Sequence, residues 1–200
     1  MLKNLLTVAL RNFQRDKWYG LLNILGLTIG ITFGLLLIFY IKDELSYDRY
    51  NAKLDRIYRI TSFIKEPEKD MLKWTSTQNP LGPTLKKDFP EVEESVRFVN
   101  SGKEMFQLND TRLFIEKVFY TDSTVFKVFT YPFLEGDPRT ALVAPHSMVL
   151  TQSVAKEYFG KSTGVVGRSL RNDKGDVFKI TGVVKDVPIN SHLRFNILLS

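Results

Sequence analysis

The stretch Trp18–Ile41, WYGLLNILGLTIGITFGLLLIFYI, carries no formal charge from end to end. At ~1.5 Å rise per residue a helix of that length reaches about 36 Å. The hydrocarbon core of a bilayer is about 30 Å thick. The stretch therefore predicts a transmembrane helix over 18–41. It divides the chain into a short basic head and a long, mostly polar body.

The flanks decide between a retained anchor and a cleaved signal peptide. A signal peptide has an apolar core of about 7–15 residues followed by a small-residue cleavage site. Here the apolar run is longer, and Lys42-Asp43-Glu44-Leu45 follows it with no such site. The flanks fit an uncleaved anchor. The head carries Lys3, Arg11, Arg15 and Lys17 against the single acid Asp16. By the positive-inside rule, these four cations set the topology, with the N-terminus cytoplasmic and the body extracytoplasmic.

Residues 1–17 read as an amphipathic helix at the membrane surface. Leu2, Leu5, Leu6, Ala9, Leu10 and Phe13 recur at spacings of three and four, the period of one helix face. Lys3, Asn4, Arg11 and Arg15 fill the other side, where they would meet lipid phosphates. Within the span, Gly26, Gly30 and Gly34 stand four apart. Small residues at that spacing let a second helix approach closely, so the three predict helix packing. Asn23, Thr28 and Thr32 add polar groups for bonds to a neighbouring span.

Residues 42–55 read as a membrane-proximal stalk, with a short helix near Asn51–Asp55. Residues 56–200 read as one extracytoplasmic α+β domain, in which strand-like and helix-like stretches alternate. Expected strands are 57–64, 94–99, 104–108, 113–120, 147–150, 169–171, 177–185 and 193–199. A turn at Asn100-Ser101-Gly102 is expected to separate the second from the third. Expected helices are 80–88, 122–129 capped by Asp122, and 151–158 capped by Thr151 and closed by Gly160. Pro132, Gly136, Asp137 and Pro138 mark a loop. Phe178, Ile180, Gly182 and Val184 should share one strand face.

The residues offer no catalytic constellation. The chain holds no cysteine, so disulfide and thiol chemistry are out. The body has nearly balanced charge and no basic run, which argues against nucleic-acid binding. Gly160-Lys161-Ser162 looks like the end of a phosphate loop, but Ala155 stands where its first glycine must be. His146 and His192 lack a second ligand at metal spacing, and no G-x-S-x-G elbow surrounds a serine. Glu93-Glu94 reads as a solvated face. Asp186–His192 reads as a structural turn, with Asn190 or Ser191 bonding the backbone before the last strand. No catalytic, cofactor or metal site is expected.

Several separated blocks carry a resemblance. MLKNLLTVALRNFQRDKWYGLLNILGLTIGI and DELSYDRYNAKLDRIYRI open the chain, and GDPRTAL, SMVLTQSVAKEYFG, VGRSL and ITGVVKDVPINSHLRFNILLS follow in order. Together they resemble bacterial ABC transporter permeases of the MacB–FtsX type: an N-terminal span and then a MacB-like periplasmic core domain. The resemblance implies a mixed α+β, porter-like extracytoplasmic domain in the inner (cell) membrane. It also implies an ABC ATPase subunit as cytoplasmic partner, and efflux or mechanotransmission driven by ATP hydrolysis on that subunit. Further transmembrane helices and a periplasmic partner are implied too. Members of the family carry at least four spans. With one span, these 200 residues are expected to be the N-terminal part of a longer permease.

Two readings follow. The first is this permease subunit. The second is a single-span anchored extracytoplasmic binding or scaffold protein without ATP coupling.

Overall fold

The computed structural model describes residues 4, 7, 8, 11, 14–65 and 72–200. They form two compact units, 1–47 and 48–200.

The first unit is dominated by helix α1, Lys17–Glu44. It extends the predicted span by one residue at the start and three at the end. No residue of α1 is buried, and an 18-residue window within it reaches a mean hydropathy of 2.4. It is the one helix among the described residues long and apolar enough to cross a membrane by length and composition. The apolar residues predicted to line the amphipathic head helix, Leu2, Leu5, Leu6, Ala9, Leu10 and Phe13, lie outside the described residues, as does Lys3. Asn4, Thr7, Val8, Arg11, Gln14 and Arg15 are helical and exposed.

The second unit is α+β. Its strands are β1 (Ser62–Ile64), β2 (Leu72–Trp74), β3 (Phe98–Leu108), β4 (Thr111–Thr121), β5 (Phe133–Gly136), β6 (Ser147–Thr151), β7 (Ser169–Asn172), β8 (Val177–Val184) and β9 (Ile197–Leu199). Its helices are α2 (Leu81–Asp88), α3 (Val125–Val128) and α4 (Gln152–Phe159), with a 3-10 turn at Leu54–Arg56. β1 and β2 form a small antiparallel ladder of their own. The other seven strands form a mixed sheet in the order β5-β8-β6-β9-β4-β3-β7. β8 also pairs with β7, so six of the seven strands close into a ring.

β6 and β9 lie at the centre, and every residue of both is buried. Strands covered on both faces read as continuous apolar runs rather than alternating ones, and SMVLT and ILL fit that. One core lies on the inner side of the curled sheet. Met148, Leu150, Ile180, Ile197, Leu199 and Phe106 meet Val154, Ala155 and Tyr158 of α4 there. The second core lies on the opposite face, where Val149, Leu198 and Val184 pack with Tyr131, Phe195 and Val125.

Several local expectations are corrected, each for a physical reason. Only Ser62–Ile64 of the expected strand 57–64 enters a ladder. The expected strands 94–99 and 104–108 are one strand, β3: Asn100–Glu104 makes bulges against β4, with Gly102 at φ +77°. A bulge and a turn both call for a left-handed glycine, so composition alone does not separate them. The expected loop around Gly136 contains β5. A Cβ on Gly136 would lie 2.4 Å from the Thr181 carbonyl, and one on Gly182 would lie 2.6 Å from the Phe133 ring. Both glycines let β5 approach β8.

Phe178, Ile180, Gly182 and Val184 do not share a face. The register between β6 and β8 shifts between Met148↔Ile180 and Val149↔Gly182, and a one-residue slip exchanges the faces. Phe178, Ile180 and Val183 enter the first core, and Val184 enters the second. The last strand starts at Ile197 rather than Leu193.

Candidate functional site

A set of polar contacts gathers at the first residues of the second unit, 48–53, the segment the covalent chain reaches four residues beyond α1. Asp48 takes a left-handed conformation, φ +56°, which aspartate tolerates better than most residues. That turns its backbone N–H onto the Asn190 carbonyl at 2.9 Å. Its carboxylate then faces the loop before β9. Oδ1 accepts from the Ser191 hydroxyl at 3.0 Å and from the His192 backbone N–H at 3.1 Å. Oδ2 lies 2.7 Å from His192 Nδ1. The Ser191 hydroxyl is also 2.9 Å from the Tyr50 hydroxyl and 3.3 Å from the Leu193 carbonyl.

Asn51 makes the second half of the fastening. It is 5% exposed, and a buried amide needs its hydrogen bonds made. Its Nδ2 donates to the Asp48 carbonyl at 3.2 Å, and its Oδ1 accepts from the Thr130 N–H at 3.0 Å. The Ala52 N–H donates to the Thr130 hydroxyl at 3.0 Å, and Lys53 Nζ to the Lys127 carbonyl at 2.9 Å. Residues 48–53 are thus bonded to two loops far away in sequence, 127–130 and 190–193.

The floor beneath is aromatic. Tyr131 is buried 6.1 Å, centre to centre, from Tyr50 and 4.9 Å from Phe195. Burial pushes its phenol well above the ordinary tyrosine range, helped by Tyr50 and the Asp48 charge, so it stays a neutral hydroxyl.

Ion pairs tie the neighbouring loops together. Glu94 accepts from Lys86 at 2.6 Å and Lys127 at 3.3 Å, and the Lys86 hydrogen bond is the main cause holding its carboxyl below the usual range. The expected solvated face at Glu93-Glu94 is therefore engaged, with Glu93 on Arg56. Asp122 does not cap α3. Its carboxylate accepts from Arg97 N and Nε at 2.9 Å and Nη2 at 2.6 Å, which holds its carboxyl low. Thr151 occupies the N-cap position of α4 but makes no capping bond, and its Oγ1 is buried without a partner. Asp186 caps that helix from another loop, accepting from the Ser153 N–H at 2.9 Å and the Ser153 hydroxyl at 2.7 Å.

These groups tie residues 48–53 to the loops 127–130 and 190–193. The Ser191 hydroxyl donates to Asp48 Oδ1. Among the described residues no three of His, Asp and Glu are placed to hold a metal ion.

The residues singled out from sequence lie elsewhere. Gly26, Gly30 and Gly34 are on α1, and a Cβ at any of them would meet open space. Thr32 Oγ1 donates to the Thr28 carbonyl at 2.7 Å in its own helix, which leaves its lone pairs to accept a bond from a neighbour. Arg11 and Arg15 are exposed, with Arg15 3.6 Å from Asp16, and Lys17 is the first residue of α1. Sequence reading passed over Asp48, Tyr50, Asn51 and Thr130. The available signal was the polar DRYN run directly after the charged exit from the span, paired with the polar NSH run before the last strand.

None of the curated proteins matches the chain. Among solved structures, a domain assigned to a permease from Porphyromonas gingivalis matches at 22% identity with a TM-score of 0.60, covering 70% of this chain and 59% of that one. The extracellular domain of the noncanonic ABC-type transporter YknZ from Gram-positive bacteria matches at 17% identity and TM-score 0.38, covering 51% and 52%. The periplasmic region of MacB from Actinobacillus actinomycetemcomitans matches at 18% identity and TM-score 0.41, covering 58% and 60%. The first of these shares the fold. The chain spans between half and three-fifths of the length of each. The model of the MacB-like periplasmic core domain matches residues 21–200, which takes in most of α1 and the whole second unit. With that match over nearly all of its length, the chain belongs to the MacB-like periplasmic core domain family of ABC transporter permeases.

Proposed function

We propose that these residues are the N-terminal part of the membrane permease subunit of a MacB–FtsX-type ABC transporter. In this reading α1 crosses the inner membrane, with Lys3, Arg11, Arg15 and Lys17 on the cytoplasmic side and residues 48–200 outside. Gly26, Gly30 and Gly34 pack against further transmembrane helices. A partner ATPase hydrolyses ATP in the cytoplasm, and movement of the membrane helices passes through the 48–53 fastening into the domain. The work done outside is export or mechanical transmission.

The observation that carries this reading is the fastening itself. The first six residues of the domain make bonds to two remote loops, so a displacement of the chain at residue 48 is delivered to α3 and β9 together. A passive tether needs no such joint. Six residues in an ordinary linker would be solvated.

The topology is testable because the chain has no cysteine. Single variants Gln14→Cys and Thr163→Cys are exposed to a membrane-impermeant maleimide in cells with a permeabilised outer membrane. The expected result is that Thr163→Cys labels in intact cells and Gln14→Cys only after lysis. The reverse pattern, or labelling of both before lysis, overturns the reading.

A further inference from the structure

Ile189 is held out into solvent. It is 81% exposed, and among the described residues of the second unit no large apolar side chain is more so. One exposed isoleucine is ordinary on a protein surface; the setting of this one is not. Val187 packs against the second core. The Asn190 carbonyl accepts the Asp48 N–H at 2.9 Å. Ser191 is buried and bonded to Asp48, to Tyr50 and to the Leu193 carbonyl. The loop is therefore fixed on both sides of its tip, and the proline ring at 188 restricts the backbone there further. Pro188 and Ile189, both exposed, make a fixed apolar tip.

The bond from Asp48 sets that tip beside the start of the domain. α1 ends at Glu44, and the four residues from there to Asp48 span at most about 14 Å. The uncharged stretch ends at Ile41, and Lys42, Asp43 and Glu44 carry the helix on by about 4.5 Å. A headgroup layer is about 5–7 Å deep. A helix that crosses the membrane with its uncharged stretch in the hydrocarbon therefore ends among the headgroups, and the residue bonded to Asn190 follows on a short tether. The charges near the tip suit an anionic surface. Lys185 and Arg194 bracket the loop and Arg49 follows Asp48; all three are exposed. Among the described residues none of the three has an ion-pair partner. Of the nearby acids, Asp186 is engaged by Ser153 and Asp48 by Ser191 and His192.

We propose that Pro188 and Ile189 form a lipid-contact site: the tip enters the boundary between headgroups and acyl chains of the anionic membrane that α1 crosses, with Lys185, Arg194 and Arg49 toward the lipid phosphates. The inference rests on α1 crossing the membrane, as proposed above. An isoleucine at that boundary leaves water, and apolar burial and attraction to anionic lipid add together there. A protein partner is the poorer fit, because a stable protein interface needs a far wider contact than a two-residue tip. The contact gives the loop that fastens residue 48 a second hold, on the bilayer itself.

The chain has no cysteine, so an environment-sensitive dye can be attached at one position at a time. The test uses the full chain in vesicles of phosphatidylethanolamine and phosphatidylglycerol. With the dye on Ile189→Cys, the emission is expected to shift to the blue and to be quenched by a lipid carrying a nitroxide just below its headgroup. On Asp173→Cys it is expected to keep its aqueous value. That residue stands before β8 and residue 189 stands beyond its far end, with the eight residues of the strand, about 26 Å, between them. With the dye on Pro188→Cys, adding Ile189→Asp removes both the shift and the quenching, and unchanged thermal melting shows that the fold is intact. Aqueous emission from Ile189→Cys, equal quenching at Asp173→Cys, or a Pro188→Cys signal indifferent to Ile189→Asp overturns the inference. So does a blue shift without lipid quenching, the mark of a protein cover or a second copy of the chain. A dye on Leu27→Cys separates the two levels. Quenching there by a nitroxide at mid-bilayer, with none at residue 189, sinks only this inference, whereas no quenching at residue 27 removes the span beneath it.

Discussion

At the residue scale, the sharpest lesson comes from the start of α4. The sequence S-M-V-L-T-Q-S-V invites Thr151 as the cap, yet its hydroxyl is buried without a partner and Asp186 supplies the bond from another loop. Capping chemistry is legible in a sequence, but which residue performs it is a tertiary fact when a carboxylate 33 positions away can reach the same N–H. Asp186→Ala should therefore destabilise the domain by about 1 kcal/mol, the usual worth of a cap. Thr151→Val should be neutral or slightly stabilising, because it removes an unsatisfied hydroxyl at constant shape. Urea midpoints of the full chain in detergent measure both. The opposite order of effects would return the cap to Thr151. Asp122 supplies a pH prediction. Its folded carboxyl is held low by Arg97, so its contribution is present above the ordinary carboxylate range, about pH 4, and fades as pH falls through the depressed folded value. Arg97→Met should flatten that part of the stability profile between pH 5 and acid. An unchanged profile would mean the pair adds nothing.

At the scale of elements, α1 was almost wholly legible. Its length, its lack of charge and its flanks need no tertiary information. The central strands were legible in their existence, because MVL and ILL are apolar runs rich in strand-forming residues, although the second begins at Ile197 and not at Leu193. The bulges were not. Asn100–Glu104 carries turn residues, and only the partner strand β4 decides that the chain runs straight on. The slip between β6 and β8 likewise depends on both strands at once, and it puts Val183 rather than Val184 on the face of Phe178 and Ile180. The glycine stripe of α1 belongs to this scale too. Gly30→Leu should leave membrane insertion intact and weaken association with a neighbouring span by fivefold or more, roughly the 1–2 kcal/mol of polar and close-packed helix contacts in lipid. A two-helix association reporter carrying Lys17–Glu44 measures it. Unchanged association would make the stripe merely compositional.

At the scale of the whole molecule, the α+β class was legible from the alternation of strand-like and helix-like stretches and the permease family from the resemblance of the separated blocks, and the family match agrees. The fastening of residues 48–53 was not, because Asp48 meets Ser191 and His192 more than 140 positions away. No local pattern encodes such a pairing. It arises only when the ring closes and brings the loop before β9 beside the start of the domain. In the proposed function, motion driven from the cytoplasm would enter the domain at this joint, through Asp48 and Asn51. The direct measurement is hydrogen exchange on the native assembly, purified from its host through a tag on this chain. A P-loop ATPase is expected to co-purify, and trapping it with ATP and vanadate is expected to change deuterium uptake in residues 48–53 and 190–193 together. Absence of the ATPase, or uptake at these two segments that is indifferent to nucleotide, would contradict it.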